Sequence, residues 1–322
     1  MGANGAGKTN LLEGLHVATQ GFSPRTRAEG RLIRTGCDAA RAMAQTRTQG
    51  SRIETSLTVR RSGPKEALLN GAPAALDVLR TRLPVLVFLP DRLAVVKGGP
   101  SVRRTYFDRM LGRVRPELVQ LPAEYAQALS QRGAALRRVR DGFAGRDAIE
   151  PWTEALARLG RNLDTARVGL VAELDPHFGE ACATLGMSEA RVVYEPAGVT
   201  EAALEERLAR DIDRGTSGAG PHLRDFVITS AAGELRGYGS QGQQRAAVLA
   251  LLLAEATFLG ERGRPPALLL DDVLSELDRD RRAGLVSLLG AETQTLVTAT
   301  DRDDVLEPAC VVEVTPGAAT VA

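Results

Sequence analysis

The residues Gly2-Ala3-Asn4-Gly5-Ala6-Gly7-Lys8-Thr9 match a phosphate-binding loop at every position of its pattern. The glycines let successive backbone N–H groups turn inward around phosphate oxygens, a path that other residues resist. Lys8 is then expected to bridge the β- and γ-phosphates of a nucleotide, and Thr9 to offer its hydroxyl to Mg2+. Leu11, Leu12 and Leu15 follow at helical spacing, so the positive end of a helix dipole faces the same anion. Far downstream, Ala267-Leu268-Leu269-Leu270-Asp271-Asp272 is an apolar run that ends in two carboxylates. A buried strand delivers such acids to the C-terminal edge of a parallel sheet, where ligands bind. There Asp271 is expected to hold Mg2+, directly or through water, and Asp272 to orient or deprotonate an attacking water.

A third group stands between them. Gly237-Tyr238-Gly239-Ser240-Gln241-Gly242-Gln243-Gln244-Arg245 leads into a Leu- and Ala-rich helix expected from Arg245 to Leu259. Ser240 suits the N-cap of that helix. Ser240, Gln241, Gly242 and Gln243 also form a glycine-rich helix start able to present donors to a γ-phosphate. One chain already has a set of donors in its phosphate loop. A second set makes sense if it faces the nucleotide of another subunit, with ATP sandwiched in a homodimer.

The elements that must position these groups read as mixed α and β structure. The loop pattern calls for a buried strand leading into Gly2, and only Met1 stands there. The expectation is an α/β P-loop head whose first strand is missing through truncation. Arg52–Arg60 alternates apolar and polar residues, a half-buried strand. Asn70-Gly71 signals a tight turn, and Pro84–Pro90 a short buried strand bounded by prolines. From about Asp108 the period changes. Leu118, Tyr125, Leu129, Leu136 and Val139, then Trp152, Leu156, Leu159, Leu163, Leu170 and Leu174, form heptad-like stripes on two long helices. Gly142, Gly145 and Pro151 suit a hairpin tip between them. The predicted organisation is therefore 1–107 as the N-terminal half of the head, 108–214 as an inserted antiparallel helical arm, and 215–322 as the C-terminal half of the head.

Composition narrows the function classes. At 322 residues, with 43% hydrophobic and 25% charged content, disorder and fibre are excluded. No apolar run approaches the ~18 residues of a membrane span, and Met1 opens no signal-peptide layout. Cys37, Cys182 and Cys310 are scattered without metal-ligand spacing, which points to reduced thiols in a cytoplasmic protein. The net charge of +1 hides a split: residues 1–150 carry 25 Lys/Arg against 13 Asp/Glu, and residues 151–322 carry 16 against 27. A basic half suits nucleic acid phosphates, or the two halves fold together and cancel. Arg132, Arg137, Arg138 and Arg140 lie near the arm tip, on a face that reads as solvated and able to meet DNA. Only three lysines occur; Lys97 is a candidate for nucleotide, DNA or plain solvation, while Arg103 and Arg104 are candidates for DNA contact or salt bridges.

Phosphate loop, helical arm, Ser240 segment, acidic strand and Ser275-Glu276-Leu277-Asp278 occur in an order that resembles the ABC-type ATPase heads of SMC-like DNA repair proteins. Two stretches, Pro90-Asp91-Arg92 through Asp108 and Leu268 through Arg282, together with Gly239–Arg245, are most similar to the RecF family. The similarity runs from Gly2 to about Asp301. The resemblance implies a cytoplasmic, ATP-dependent dimer that binds single-stranded and gapped DNA at duplex junctions. It also implies that the dimer helps RecR load RecA in repair, replication and SOS induction. Slow, DNA-stimulated hydrolysis with no chemistry on DNA goes with it. The sequence departs from this pattern at Leu223, where a basic residue is usual, and at Thr300, where transporter ATPases carry a switch histidine. A threonine neither takes a proton as a base nor carries charge. The rival reading on the same head is the ATP-hydrolysing subunit of a membrane transporter. The long helical insertion, the lost histidine and the basic first half argue against it. A third reading leaves the shortened chain without ATP function.

Overall fold

A computed structural model describes residues 1–26, 28–48, 50–89, 93–290, 293–300 and 310–321. Pro90, Asp91, Arg92 and Asp301, named in the sequence stretches above, lie outside the described residues. The chain divides into two compact units. The first holds Met1–Leu93, Glu180–Met187 and Arg245–Ala322, and the second Ala94–Gly179 and Ser188–Gln244.

In the first unit, helix α1 (Lys8–Gln20) begins directly after the phosphate loop. Strands β1 (Ala39–Thr48), β2 (Ser51–Arg60), β3 (Glu66–Leu69) and β4 (Ala72–Pro73) form an antiparallel sheet in that order. The period-two reading holds in part: Thr55, Leu57 and Val59 are buried, but so is Ser56 on the opposite face. Leu57 and Val59 point inward and meet Val17 of α1 and Ile33. Asn70 (φ 50°) and Gly71 (φ 81°) both take the left-handed conformation that a two-residue hairpin turn needs.

After α2 (Leu76–Arg82) comes β5 (Val85–Phe88), buried at all four residues. It lies parallel to β9 (Ala267–Leu270), which pairs on its other side with parallel β10 (Thr295–Val297). Continuous apolar runs fit strands covered on both faces, and Leu12 of α1 packs on Val85, Val87, Leu89 and Leu269. Strands β11 (Val312–Thr315) and β12 (Ala318–Val321) make a hairpin. The Met1 ammonium donates to the Val312 carbonyl at 2.6 Å, and Val314 N–H donates to the Met1 carbonyl at 2.7 Å. These two bonds tie the residue that enters the loop to β11.

The second unit contains α3 (Ala94–Lys97), α4 (Pro100–Val114), α5 (Leu121–Arg140) and most of α6 (Glu150–Thr184). It continues through β6 (Arg191–Tyr194), α7 (Glu201–Glu205), α8 (Leu208–Arg214), β7 (Phe226–Ser230), β8 (Gly233–Glu234) and α9 (Leu235–Tyr238). The sheet β6-β7-β8 is antiparallel. Two contacts show α5 and α6 running in opposite directions: Arg132 bonds Thr153, and the earlier Tyr125 lies against the later Gly160. Helix α10 (Gln241–Glu261) then passes into the first unit, and α11 (Arg279–Leu288) is capped by Asp278.

The arginines separate cleanly. Arg132 is fully buried, which corrects the reading of a solvated tip face. Its Nη1 donates to Asp211 and Ser217, both at 2.8 Å, and its Nε to Thr153 at 3.1 Å. Arg137 bonds the Gly215 carbonyl, Arg140 pairs with Asp141, and Arg138 is exposed. Arg103 is also buried and ion-paired with Asp225, whereas Arg104 bonds the Arg224 carbonyl and Lys97 is exposed.

His222 gives this unit a pH dependence. Its Nε2 donates to the Ser217 carbonyl at 3.1 Å, which leaves Nδ1 to accept the Tyr125 hydroxyl at 2.8 Å. Burial lowers its pKa and prevails over the Ser217 hydrogen bond, which raises it; Arg104 and Arg167 repel the proton and Asp211 attracts it. A depressed base binds its proton more readily once unfolded, so its contribution is complete above the ordinary histidine value and lost as pH falls. Between about pH 7 and pH 5 the wild type should lose more stability than His222→Gln, measured as urea midpoints at each pH. An equal loss in both chains would remove His222 as the source.

Candidate nucleotide site

The phosphate loop turns on itself through a hydrogen bond from Ala6 N–H to the Ala3 carbonyl at 3.1 Å. Gly5 (φ 82°) and Gly7 (φ 107°) are left-handed, a conformation costly to other residues. Gly7 caps α1 with no side-chain acceptor, and the first turn carries no acid. The leading N–H groups and the dipole therefore face the loop without competition from a carboxylate. The Lys8 ammonium lies over the loop and donates to the carbonyls of Gly2 at 2.5 Å and Ala3 at 3.2 Å.

From the opposite side of the sequence comes the acidic strand. Thr9 Oγ1 donates to Asp271 Oδ2 at 2.8 Å. Asp271 is buried at the end of β9 and Asp272, the next residue, is exposed. These groups share a cavity of about 360 Å³ with Ala3, Asn4, Gly5, Gly7, Lys8, Asn10, Arg25, Thr298 and Thr300. Of the predicted loop residues, Gly2 and Ala6 support the turn without lining the cavity. Thr300 does line it, at the place expected from the sequence.

Arg25 and Asn10 had no sequence signal. Arg25 is one arginine among many and reaches the site only through a loop. Its Nη1 donates to Asn10 at 3.2 Å and to Glu13 at 3.1 Å. Ser23 donates to Glu13 and accepts the N–H groups of Arg25 and Thr26, both at 3.1 Å. The guanidinium adds a second positive charge to the cavity wall. A hydroxyl and a carboxylate oxygen in contact are hard donors, and Mg2+ is commonly held by one or two carboxylates together with substrate phosphates. Thr9 and Asp271 fit that ion.

Ser240, Gln241, Gly242 and Gln243 lie in the second unit and line no part of this cavity. They open α10 with a reciprocal cap. Gln243 N–H donates to Ser240 Oγ at 3.2 Å, and Ser240 N–H donates to Gln243 Oε1 at 2.8 Å. Ser240 and Gln241 are exposed, and the Ser240 hydroxyl proton is left for another acceptor.

No family model matches the chain. Individual relatives do. The DNA replication and repair protein RecF of Anaeromyxobacter sp. strain Fw109-5 is 37% identical, covering 96% of this chain and 87% of that protein. The chain belongs to the RecF family. RecF of Halothermothrix orenii is 34% identical over 94% of this chain and 85% of its own length. A solved structure of the recombination mediator RecF with ATP, from the RecFOR pathway, superposes with a TM-score of 0.88 at 26% identity. It covers all of this chain and 90% of that one. The Smc head domain of Pyrococcus furiosus bound to the C-terminal domain of ScpA shares the fold at 18% identity, with a TM-score of 0.57 and 88% of that chain covered. The chain thus shares the fold of the Smc head, as the motif order implied, and membership of the RecF family of DNA replication and repair proteins sets the transporter reading aside. Among the described residues no helix is long and apolar enough to cross a membrane.

Proposed function

We propose that this RecF-family chain binds ATP with Mg2+ at the phosphate loop and dimerises around it. As a dimer it binds single-stranded and gapped DNA at duplex junctions and, with RecR, promotes RecA loading in repair and SOS induction. The observation that carries the ATP reading is the hydrogen bond between Thr9 and Asp271, which joins the loop to the acidic strand. Lys8, Arg25 and the start of α1 neutralise and orient the phosphates. Thr9 and Asp271 hold Mg2+, which shields phosphate charge when bound. Asp272, exposed at the cavity edge, orients or deprotonates the attacking water. Ser240 with its capped helix start donates to the γ-phosphate held by a second copy, so ATP closes the dimer. Thr300 supplies neither base nor charge, so turnover is slow and serves as a timer.

The test is binding to gapped DNA with and without Mg2+–ATP. ATP is expected to tighten DNA binding. Asp272→Asn should retain that gain while ATP hydrolysis falls roughly 100-fold or more. ATP-independent DNA binding would overturn the switch, and unchanged hydrolysis in Asp272→Asn would remove Asp272 from the chemistry.

A further inference from the structure

Thr298 belongs to neither the phosphate loop nor the acidic strand, yet its single hydroxyl touches both acidic residues of the site. It follows directly on β10, and its own N–H donates to the Leu270 carbonyl at 3.0 Å, which fixes it beside the end of β9. The residue is 8% exposed. Its Oγ1 donates to Asp271 Oδ1 at 2.8 Å and accepts Asp272 N–H at 2.9 Å. These directions are forced, because a backbone N–H can only donate and an ionised carboxylate can only accept.

Two consequences follow from that one hydroxyl. With Oδ1 engaged by Thr298, Oδ2 is the oxygen of Asp271 turned to Thr9. Asp272 meanwhile sits at φ 51°, a left-handed conformation that a non-glycine residue keeps only when its surroundings fix it. The bond from its N–H to Thr298 supplies part of that constraint. We propose that Thr298 is a positioning residue for both acids. It selects Asp271 Oδ2 as the oxygen offered to the divalent cation and holds the backbone that presents Asp272 at the cavity edge. The inference deepens the Mg2+–ATP reading and rests on it.

Valine preserves the shape of threonine and removes the hydroxyl, leaving Asp271 Oδ1 and Asp272 N–H without this partner. Serine keeps the hydroxyl. The experiment measures binding of a fluorescent ATP analogue against Mg2+ concentration, and separately in EDTA, for wild type, Thr298→Val and Thr298→Ser. Thermal unfolding of each chain accompanies it. Thr298→Val should need roughly tenfold more Mg2+ for half-maximal nucleotide binding, the size of effect seen when a ligand's supporting group is lost. Its affinity in EDTA should match wild type, and Thr298→Ser should restore the Mg2+ requirement.

An unchanged Mg2+ requirement in the valine chain overturns the proposal. So does an equal loss of affinity with and without Mg2+, since that is what a packing defect gives. If the valine chain does not fold, Thr298→Cys is read by the same two criteria. Wild type that binds no nucleotide under either condition overturns the ATP reading itself, which separates that failure from failure of Thr298 alone.

Discussion

Lys8→Ala is expected to weaken Mg2+–ATP binding roughly 30- to 150-fold, about 2–3 kcal/mol for the hydrogen bonds a charged donor makes to phosphate. The ammonium already lies over the loop, held by the carbonyls of Gly2 and Ala3. Among the described residues it is one of two side-chain cations lining the cavity, with Arg25. Nucleotide titration by calorimetry reads the loss directly. Because the bonds Lys8 makes in this structure are to loop carbonyls near the surface, the melting temperature should change little, as for substitutions outside the core. ATP should also cease to tighten DNA binding. Lys8→Arg should not restore affinity, since a planar fork replaces a compact point charge in a loop shaped around the latter. Wild-type affinity in Lys8→Ala would show that the phosphates bind elsewhere.

The second large effect is on stability. Arg132→Ala is expected to cost about 3–5 kcal/mol, because it leaves the Asp211 carboxylate buried with its charged partner gone. The ion pair is among the least exposed features of the chain, with side chains 0% and 1% accessible. The same truncation strips hydrogen bonds from Ser217 and Thr153. For a unit of this size that corresponds to a fall in melting temperature of roughly 10–20 °C. The double change Arg132→Met with Asp211→Leu should recover most of it, since a buried ion pair replaced by apolar residues of similar volume is often neutral. A loss of under about 1 kcal/mol in Arg132→Ala would mean that Asp211 finds water or another donor.

Much of the site was legible in the sequence because its signals are local. A glycine-rich loop is encoded by the backbone conformations it needs, and Gly5 and Gly7 are left-handed in the structure. Apolar runs ending at Asp271 or bounded by Pro84 became the strands β9 and β5. Ser240 was legible as an N-cap, and its Oγ does accept the Gln243 N–H; the return bond from Ser240 N–H to Gln243 Oε1 and the helix start at Gln241, ahead of Arg245, came from the structure. The stripes on α5 and α6 followed from heptad spacing alone, except that Leu118 lies in a 3-10 turn ahead of α5. Arg132 shows the limit of such a reading. It sits three residues after Leu129 and four before Leu136, on the apolar stripe itself, so burial was readable from its position. Its neutralising partner was not, because Asp211 lies on another helix.

The sequence by itself determined the phosphate loop, the acidic strand, the capped start of α10 and the family. Each depends on neighbours within a few residues, where side-chain size and backbone preference act directly. Thr9 and Asp271, expected to share one cation, do meet, whereas the tertiary structure alone decided that Thr298 bridges both acids and that Arg25 reaches the cavity wall. It also turned Arg132 and Arg103 inward to Asp211 and Asp225. Those pairings join residues far apart in the chain. No local preference encodes them, and they form only when packing of the intervening elements brings the two side chains within hydrogen-bonding distance.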